Sequence, residues 1–328
     1  MAHRWSKVVA APVGAALLAA ALVPFVVELP PAPDTVPPME LAGAESRFAV
    51  VDGIRFRYMQ AGEGEEPALV LLHGSGANAA SWRPVIDGLA RERRVVAFDR
   101  PGFGLTARPM PPLPAGDPYA PGSAAEQTVA LMDYLGVGKA VLVAHSAAAG
   151  VAVRAALDNP QRIEGLVLEA PAFDGGGTLA ARLLRPLMRT RWGRFYGPLA
   201  IRRTFPPAAQ RVLERSHHDA RRTLTAELVS AYRLPLRAQD WDRALWELSA
   251  AGPDGAAPAL QELRVPVSVV YGSEDAIVAP QESARVAAAI RGADAAELAG
   301  TGHVPHEERP AEFASAVERL LERARTKR

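Results

Sequence analysis

The stretch Ala140-Val-Leu-Val-Ala-His-Ser-Ala-Ala-Ala-Gly150 passes from an unbroken apolar run directly into small residues. Ala140 to Ala144 reads as a strand buried on both faces, and Ala147 to Leu157 reads as a helix. Ser146 therefore stands in a tight strand-to-helix turn, which lifts a side-chain oxygen clear of a sheet. Glycine is usual two residues before and two after such a serine, because the backbones pass close there; here Ala144 and Ala148 hold those places. Alanine is the next smallest residue, so the pattern is weakened but kept. A serine at a strand end also serves as an ordinary helix N-cap. Taken alone, Ser146 leaves both roles open.

Outward from this turn, strands and helices alternate. Ala68–Leu72 and Arg94–Phe98 read as buried strands before it, with helices near Ala79–Leu89 and Ala124–Leu135. Gly165–Glu169 is the next strand after it. Two further strands, Phe48–Val51 and Ile54–Tyr58, flank the turn pair Asp52-Gly53 at the start of the globular part. Beyond Ala172 the alternation stops. Residues 173–263 carry helical patterns with fourteen arginines and no lysine. Strand and helix then return, with Val265–Tyr271, a helix near Glu282–Ile290, a short strand near Ala295–Leu298 and a helix over Ala311–Arg323. The expected fold is α/β, a mostly parallel sheet with helices on both faces, formed by residues 46–172 and 264–328 and interrupted by a helical cap over 173–263.

Two more residues complete a chemical pattern. Asp275 ends Val269-Val-Tyr-Gly-Ser-Glu-Asp275 just beyond the next-to-last strand, and His303 ends Ala299-Gly-Thr-Gly-His303 beyond the last. Strand ends of one direction share one sheet edge, where ligands bind. Each residue alone has a plain explanation: a turn aspartate, an exposed histidine. Nucleophile, acid and base types at three strand ends in that chain order point instead to nucleophilic catalysis, with Ser146 attacking, His303 as its base and Asp275 orienting the base. His73-Gly-Ser-Gly76 follows the first parallel strand. Its glycines Gly74 and Gly76 suit a loop that presents a backbone N–H, so the N–H groups of Ser75 and Ala147 are the expected oxyanion donors. His73 is expected to hold that loop rather than touch substrate. The constellation supplies nucleophile, base and oxyanion donors, so no metal and no cofactor is expected.

These residues carry a resemblance. His73-Gly-Ser-Gly76, Phe98-Asp-Arg-Pro-Gly-Phe-Gly-Leu105, Ala144-His-Ser-Ala-Ala148, Tyr271-Gly-Ser-Glu-Asp275 and Gly302-His-Val-Pro-His-Glu-Glu-Arg-Pro310 resemble the α/β-hydrolase superfamily, in its capped esterase, lipase, C–C hydrolase and haloperoxidase-like group. The likeness spans residues 46–324. It implies that Asp99 and Arg100 are structural turn residues and that His145 and His306 stand behind the reacting groups. Relatives that open epoxides or displace halide use aspartate at the nucleophile position, so Ser146 speaks against both activities. The implied reaction is hydrolysis of a small-molecule carboxylic ester through an acyl-Ser146 intermediate. The alternatives are C–C bond cleavage in dienoate-type substrates and a ligand-binding protein without activity. Should the acid lie after the sixth strand instead, Asp174 is the candidate. Cap aromatics Trp192, Phe195, Tyr196, Phe205, Trp241 and Trp246 suit either an acyl pocket or cap packing.

Composition bounds the rest. The 328 residues are 49% hydrophobic and 22% charged, with a formal net charge of +1 and no cysteine. Disulfides, thiolate metal sites and a cysteine nucleophile are excluded, and nothing attracts the chain to nucleic acid. Arg4 and Lys7 precede an uncharged stretch from Val8 to Val27, closed by Glu28. A helix of about 20 residues crosses a bilayer core. Residues 1–28 are therefore expected to form a membrane segment, held in the lipid bilayer as a single-pass anchor with the catalytic domain outside. The alternative is a cleaved signal peptide and a secreted or periplasmic enzyme. Residues 29–45 carry five prolines between Glu28 and Glu40 and are expected to form an extended spacer that uncouples the domain from the bilayer.

Overall fold

The computed structural model describes residues 18–64, 67–110, 116–173, 179–252 and 259–326. Eight strands form one sheet among them: β1 (Arg47–Val51), β2 (Ile54–Ala61), β3 (Ala68–Leu72), β4 (Val95–Phe98), β5 (Ala140–His145), β6 (Ile163–Glu169), β7 (Val267–Gly272) and β8 (Asp294–Leu298). Their spatial order is β1-β2-β4-β3-β5-β6-β7-β8. β1 pairs antiparallel with β2, and β2 antiparallel with β4. All remaining pairings are parallel. Asp52 and Gly53 both have positive φ, 49° and 78°, the twist that a two-residue hairpin turn needs.

The apolar strands are buried on both sides because each face carries its own helices. Leu69, Leu71, Val141 and Val143 pack with Val85 and Leu89 of α2 (Arg83–Leu89) and with Phe313 and Leu320 of α12 (Pro310–Thr326). Val70, Leu72, Leu142 and Ala144 pack the other way, against α3 (Ser123–Tyr134), α4 (Ala148–Asp158) and α10 (Pro280–Ala289). Alternate residues of one strand thus serve two cores, as the period of two dictates. The helix expected from Ala79 begins as a 3-10 turn over Ala79–Trp82. Pro84 has no N–H to give Ala80, so the α-helical ladder cannot start there, and the Arg83 N–H takes the Ala80 carbonyl instead.

Topology sets where a ligand lies. The chain leaves β3 for β4 on one side and later returns to β5 on the other. That reversal opens a crevice at the carboxyl ends of β3 and β5. Between β6 and β7 the described chain is helical: α5 (Leu179–Met188), α6 (Arg191–Ser216), α7 (Ala220–Thr223), α8 (Ala226–Arg233) and α9 (Trp241–Ala251). The alternative acid Asp174 lies outside the described residues.

The amino-terminal region is described from residue 18 onward. Residues 8–17 of the uncharged stretch lie outside the described residues. Residues 18–26 are helical and are here called α1. Among the described residues no helix is long and apolar enough to cross a membrane. The proline-rich segment does not run free as a spacer; it is bound along the cap. Leu29 and Ala32 are buried. The Leu29 carbonyl accepts from Arg243, and the Pro30 carbonyl from Arg202 at 2.6 Å. Val36 pairs in parallel with Ala238, its N–H on the Arg237 carbonyl and its carbonyl on the Gln239 N–H, both at 2.9 Å. Proline segments leave carbonyls unpaired, and the arginine-rich cap supplies the donors.

Candidate active site

Ser146 occupies the turn between β5 and α4 with φ of 53°, a left-handed conformation rare for a residue with a side chain. Three main-chain bonds hold it there. Its N–H donates to the Glu169 carbonyl at 2.8 Å, and its carbonyl accepts from Ala149 at 3.0 Å and Ala172 at 3.2 Å. Ala144 and Ala148 are both fully buried, which explains why those places must be small. The neighbouring Gly74 is tighter still: a Cβ there would come 2.7 Å from His145 Nδ1 and 3.2 Å from the Ser146 Cβ.

Asp275 follows β7 and His303 follows β8, and the two meet. His303 Nδ1 lies 2.8 Å from Asp275 Oδ2. The other carboxylate oxygen accepts from the N–H groups of Ile277, at 2.8 Å, and Val278, at 2.9 Å. Asp275 is thereby fixed in rotation, with its side chain fully buried. His145, the residue before Ser146 in the chain, packs beside His303. The His145 and His303 rings stand 4.8 Å apart, and His145 Nε2 lies 2.9 Å from the His303 carbonyl.

Ser75 and Ala147 share the wall of a cavity of about 1030 Å³, with Gly76 beside them. No main-chain carbonyl among the described residues takes the N–H of either. Both are free to point at a developing oxyanion. The cavity continues between core and cap along Phe103, Tyr119, Phe173, Phe205, Leu245 and Leu248. Of the cap aromatics singled out in the sequence, Phe205 lines it. Trp241 packs on Phe205 at 6.1 Å, and Trp246 lies against Gly197, where a Cβ would clash at 2.2 Å.

His73 lies buried behind the loop. Its Nε2 accepts from the Arg100 N–H at 3.1 Å, so its Nδ1 carries the proton and donates to the Gly74 carbonyl at 2.7 Å. Burial, reinforced by the Arg100 charge, holds its pKa well below the usual imidazole range. Asp99 likewise ties turns together, accepting from Ala79 at 2.6 Å and Leu105 at 2.7 Å.

Sequence reasoning missed Glu169. It reads as the last residue of β6, and its sole signal is an acid closing an apolar strand. It is fully buried. Its Oε1 accepts from the His306 N–H at 2.8 Å and lies 2.9 Å from His306 Nδ1. Its carbonyl meanwhile holds Ser146. One residue thus ties the nucleophile turn to the loop of His303 and to α11 (Pro305–Glu308). Burial raises its carboxyl to about 7 and lowers His145 to about 3 and His306 to about 4, so near neutrality both imidazoles are uncharged while Glu169 stands close to its titration midpoint. The cap grips the same loop. The His303 N–H donates to Ser216 at 2.6 Å, and Glu307 receives Tyr232 at 2.8 Å with His217 at 3.0 Å. Burial works to lower the His217 pKa, but the hydrogen bond and charge of Glu307 outweigh it and raise it.

A serine in a strained turn, an aspartate-held histidine and paired free N–H groups at a sheet crevice define a nucleophile-elbow architecture. The chain belongs to the α/β hydrolase family, whose model matches residues 69–316. It is 39% identical over 136 residues to a dihydrolipoyllysine-residue acetyltransferase component of an acetoin cleaving system from Cupriavidus necator, a match covering 42% of this chain. The match takes in about a third of that relative's length, 34%. Among solved structures, the enol-lactonase from Burkholderia xenovorans superimposes with a TM-score of 0.67 at 24% identity, over 84% of this chain and 100% of that one. A bacterial membrane phospholipase A superimposes with a TM-score of 0.66 at 21% identity, over 98% of this chain and 99% of that one. At these identities the structural likenesses establish the fold.

Proposed function

We propose that the protein is a serine hydrolase of carboxylic esters. Ser146 attacks the ester carbonyl while His303 takes its proton, the N–H groups of Ser75 and Ala147 hold the oxyanion, and His303 passes the proton to the departing alcohol. Water activated by His303 then cleaves the acyl-Ser146 ester. The observation that carries this reading is the His303–Asp275 bond of 2.8 Å, because it places the proton on Nδ1 and leaves Nε2 basic. The apolar cavity walls suit an acyl chain, and relatives described as an enol-lactonase and a phospholipase A support ester chemistry. The uncharged stretch ending at Val27, with Arg4 and Lys7 before it and Glu28 after it, further supports a single-pass anchor that keeps the catalytic domain outside the cell.

The test is Ser146→Ala, read by hydrolysis of p-nitrophenyl esters of increasing chain length and by labelling with a fluorophosphonate. Both should vanish while the melting temperature stays near that of the parent. Labelling that survives the substitution removes Ser146 from the mechanism, and an intact parent inert toward every ester overturns the reaction class.

A further inference from the structure

The end of α1 is fitted to the cap by hydrogen bonds that its own sequence makes necessary. Pro24 has no N–H, so the Ala20 carbonyl lacks its helical partner, and the Tyr196 hydroxyl donates to it at 2.5 Å. Trp192 Nε1 donates to the Ala21 carbonyl at 2.8 Å, and Arg191 Nε to the Pro24 carbonyl, in the last turn, at 2.6 Å. The Phe25 and Trp192 rings meet edge to face at 5.3 Å. The start of α6 and the end of α1 therefore form one unit.

Around this junction the surface is apolar and open. On α1, Leu18, Leu22, Phe25 and Val26 follow helical spacing and are all exposed, Val26 at 79%. On α5, which ends three residues before Arg191, Leu183, Leu184 and Leu187 are exposed at 71%, 52% and 56%. Trp192 and Tyr196 are exposed as well. Isolated exposed leucines need no explanation, but a grouping of this size marks a contact surface. From Leu179 to Arg194 the chain carries five arginines and no acid. Arg194 is paired with Glu247 at 2.9 Å and Arg185 lines the cavity, which leaves Arg182, Arg189 and Arg191 as the cations of this stretch nearest the exposed leucines and Trp192. Leucines beside arginines, with tryptophan and tyrosine, are the composition of an element lying in a membrane interface.

We propose that α5, the start of α6 and the exposed flank of α1 form a docking face for an anionic lipid bilayer, so that the cap rests on the membrane surface. The charge of residues 179–194 and the uncharged residues Val8–Leu17 that precede α1 argue for lipid rather than a second copy of the chain. The proposal rests on the reading that the amino-terminal segment enters a bilayer, and not on the ester chemistry. It carries a consequence for substrate. Arg185 and Met188 of α5 line the cavity, while Leu183, Leu184 and Leu187 of the same helix face outward. One ten-residue helix then separates bilayer from cavity, and esters dissolved in the membrane are the substrates with the shortest path.

The chain has no cysteine, so one introduced thiol labels uniquely. The full-length protein bearing L187C, or Y134C as an exposed position on α3, is spin-labelled and reconstituted in vesicles of phosphatidylcholine with phosphatidylglycerol. On transfer from detergent, collision of the label at 187 with a water-soluble nickel complex should fall about tenfold and collision with oxygen should rise, with position 134 unchanged. Vesicles of phosphatidylcholine alone should give a smaller change. The double variant L183E/L187E should keep its rate on a water-soluble ester and lose about tenfold on a vesicle-borne ester. Protein that floats with vesicles while the label at 187 stays in water overturns the docking face and leaves the anchor standing. Protein that does not float overturns both. A label at 187 immobilised without lipid, in a particle of twice the mass, assigns the face to self-association and overturns the proposal.

Discussion

Replacing Asp275 by asparagine changes one atom, and the surrounding geometry dictates the outcome. The carboxylate oxygen Oδ1 accepts two main-chain N–H groups, Ile277 at 2.8 Å and Val278 at 2.9 Å. An amide NH₂ cannot occupy that place, since three donors would then face one another. The asparagine must keep its oxygen there and set its NH₂ where Oδ2 stood, 2.8 Å from His303 Nδ1. His303 Nδ1 then has to accept, which moves the imidazole proton to Nε2 and leaves no lone pair for the serine proton. Loss of the right tautomer in this constellation costs about 10⁴ in kcat, or about 5 kcal/mol of transition-state stabilisation. The variant keeps its volume and its burial, so KM and the melting temperature should change little. Steady-state hydrolysis of a p-nitrophenyl ester, with thermal unfolding monitored in parallel, reads both quantities. An Asp275→Asn protein within tenfold of the parent in kcat would refute the assignment of Asp275 as the residue that orients His303.

The remaining predictions concern the residues behind the reacting groups. Glu169→Gln removes a buried carboxyl whose pKa is raised by burial from 4.5 to about 7. A raised carboxyl binds its proton more tightly in the folded state, so the parent loses stability as pH rises from 4.5 toward 7 and loses no more above that. The variant lacks this loss, which is on the order of 3 kcal/mol. Relative to the parent, its melting temperature should therefore improve across that window; a constant difference from pH 4 to pH 8 would count against a buried, titrating Glu169. Gly74→Ala puts a Cβ 2.7 Å from His145 Nδ1, and that ring is pinned to the His303 carbonyl at 2.9 Å. The loop must give way and carry the Ser75 N–H with it. A fall in kcat of about ten- to a hundredfold is expected, below the full loss of an oxyanion donor. The accompanying destabilisation should be about 1–3 kcal/mol. Unchanged kcat would show that Ser75 is not a donor.

Apolar runs of five residues, helices at period 3.6 and the places of the glycines are local properties, and they were enough to read the parallel core, the hairpin at Asp52-Gly53 and the insertion after β6 directly from the chain. The placing of Ser146, Asp275 and His303 along one sheet edge was legible for a related reason: each follows a strand, and parallel strands end on one edge. What the sequence left open depended on contacts between distant residues. Burial turned Glu169 from a strand-ending acid into the link between Ser146 and the His303 loop, because desolvation and the His306 N–H act only after β6 and α11 have met. The segment 29–45 reads as a free spacer since prolines cannot form helix or sheet ladders. Its carbonyls are nonetheless acceptors, and Arg202, Arg243 and the strand-like pairing at Ala238 reach them from more than 170 residues away. Local propensity fixes which elements form. Which polar groups go unpaired, and which distant donors answer them, is settled when the cap closes over the core.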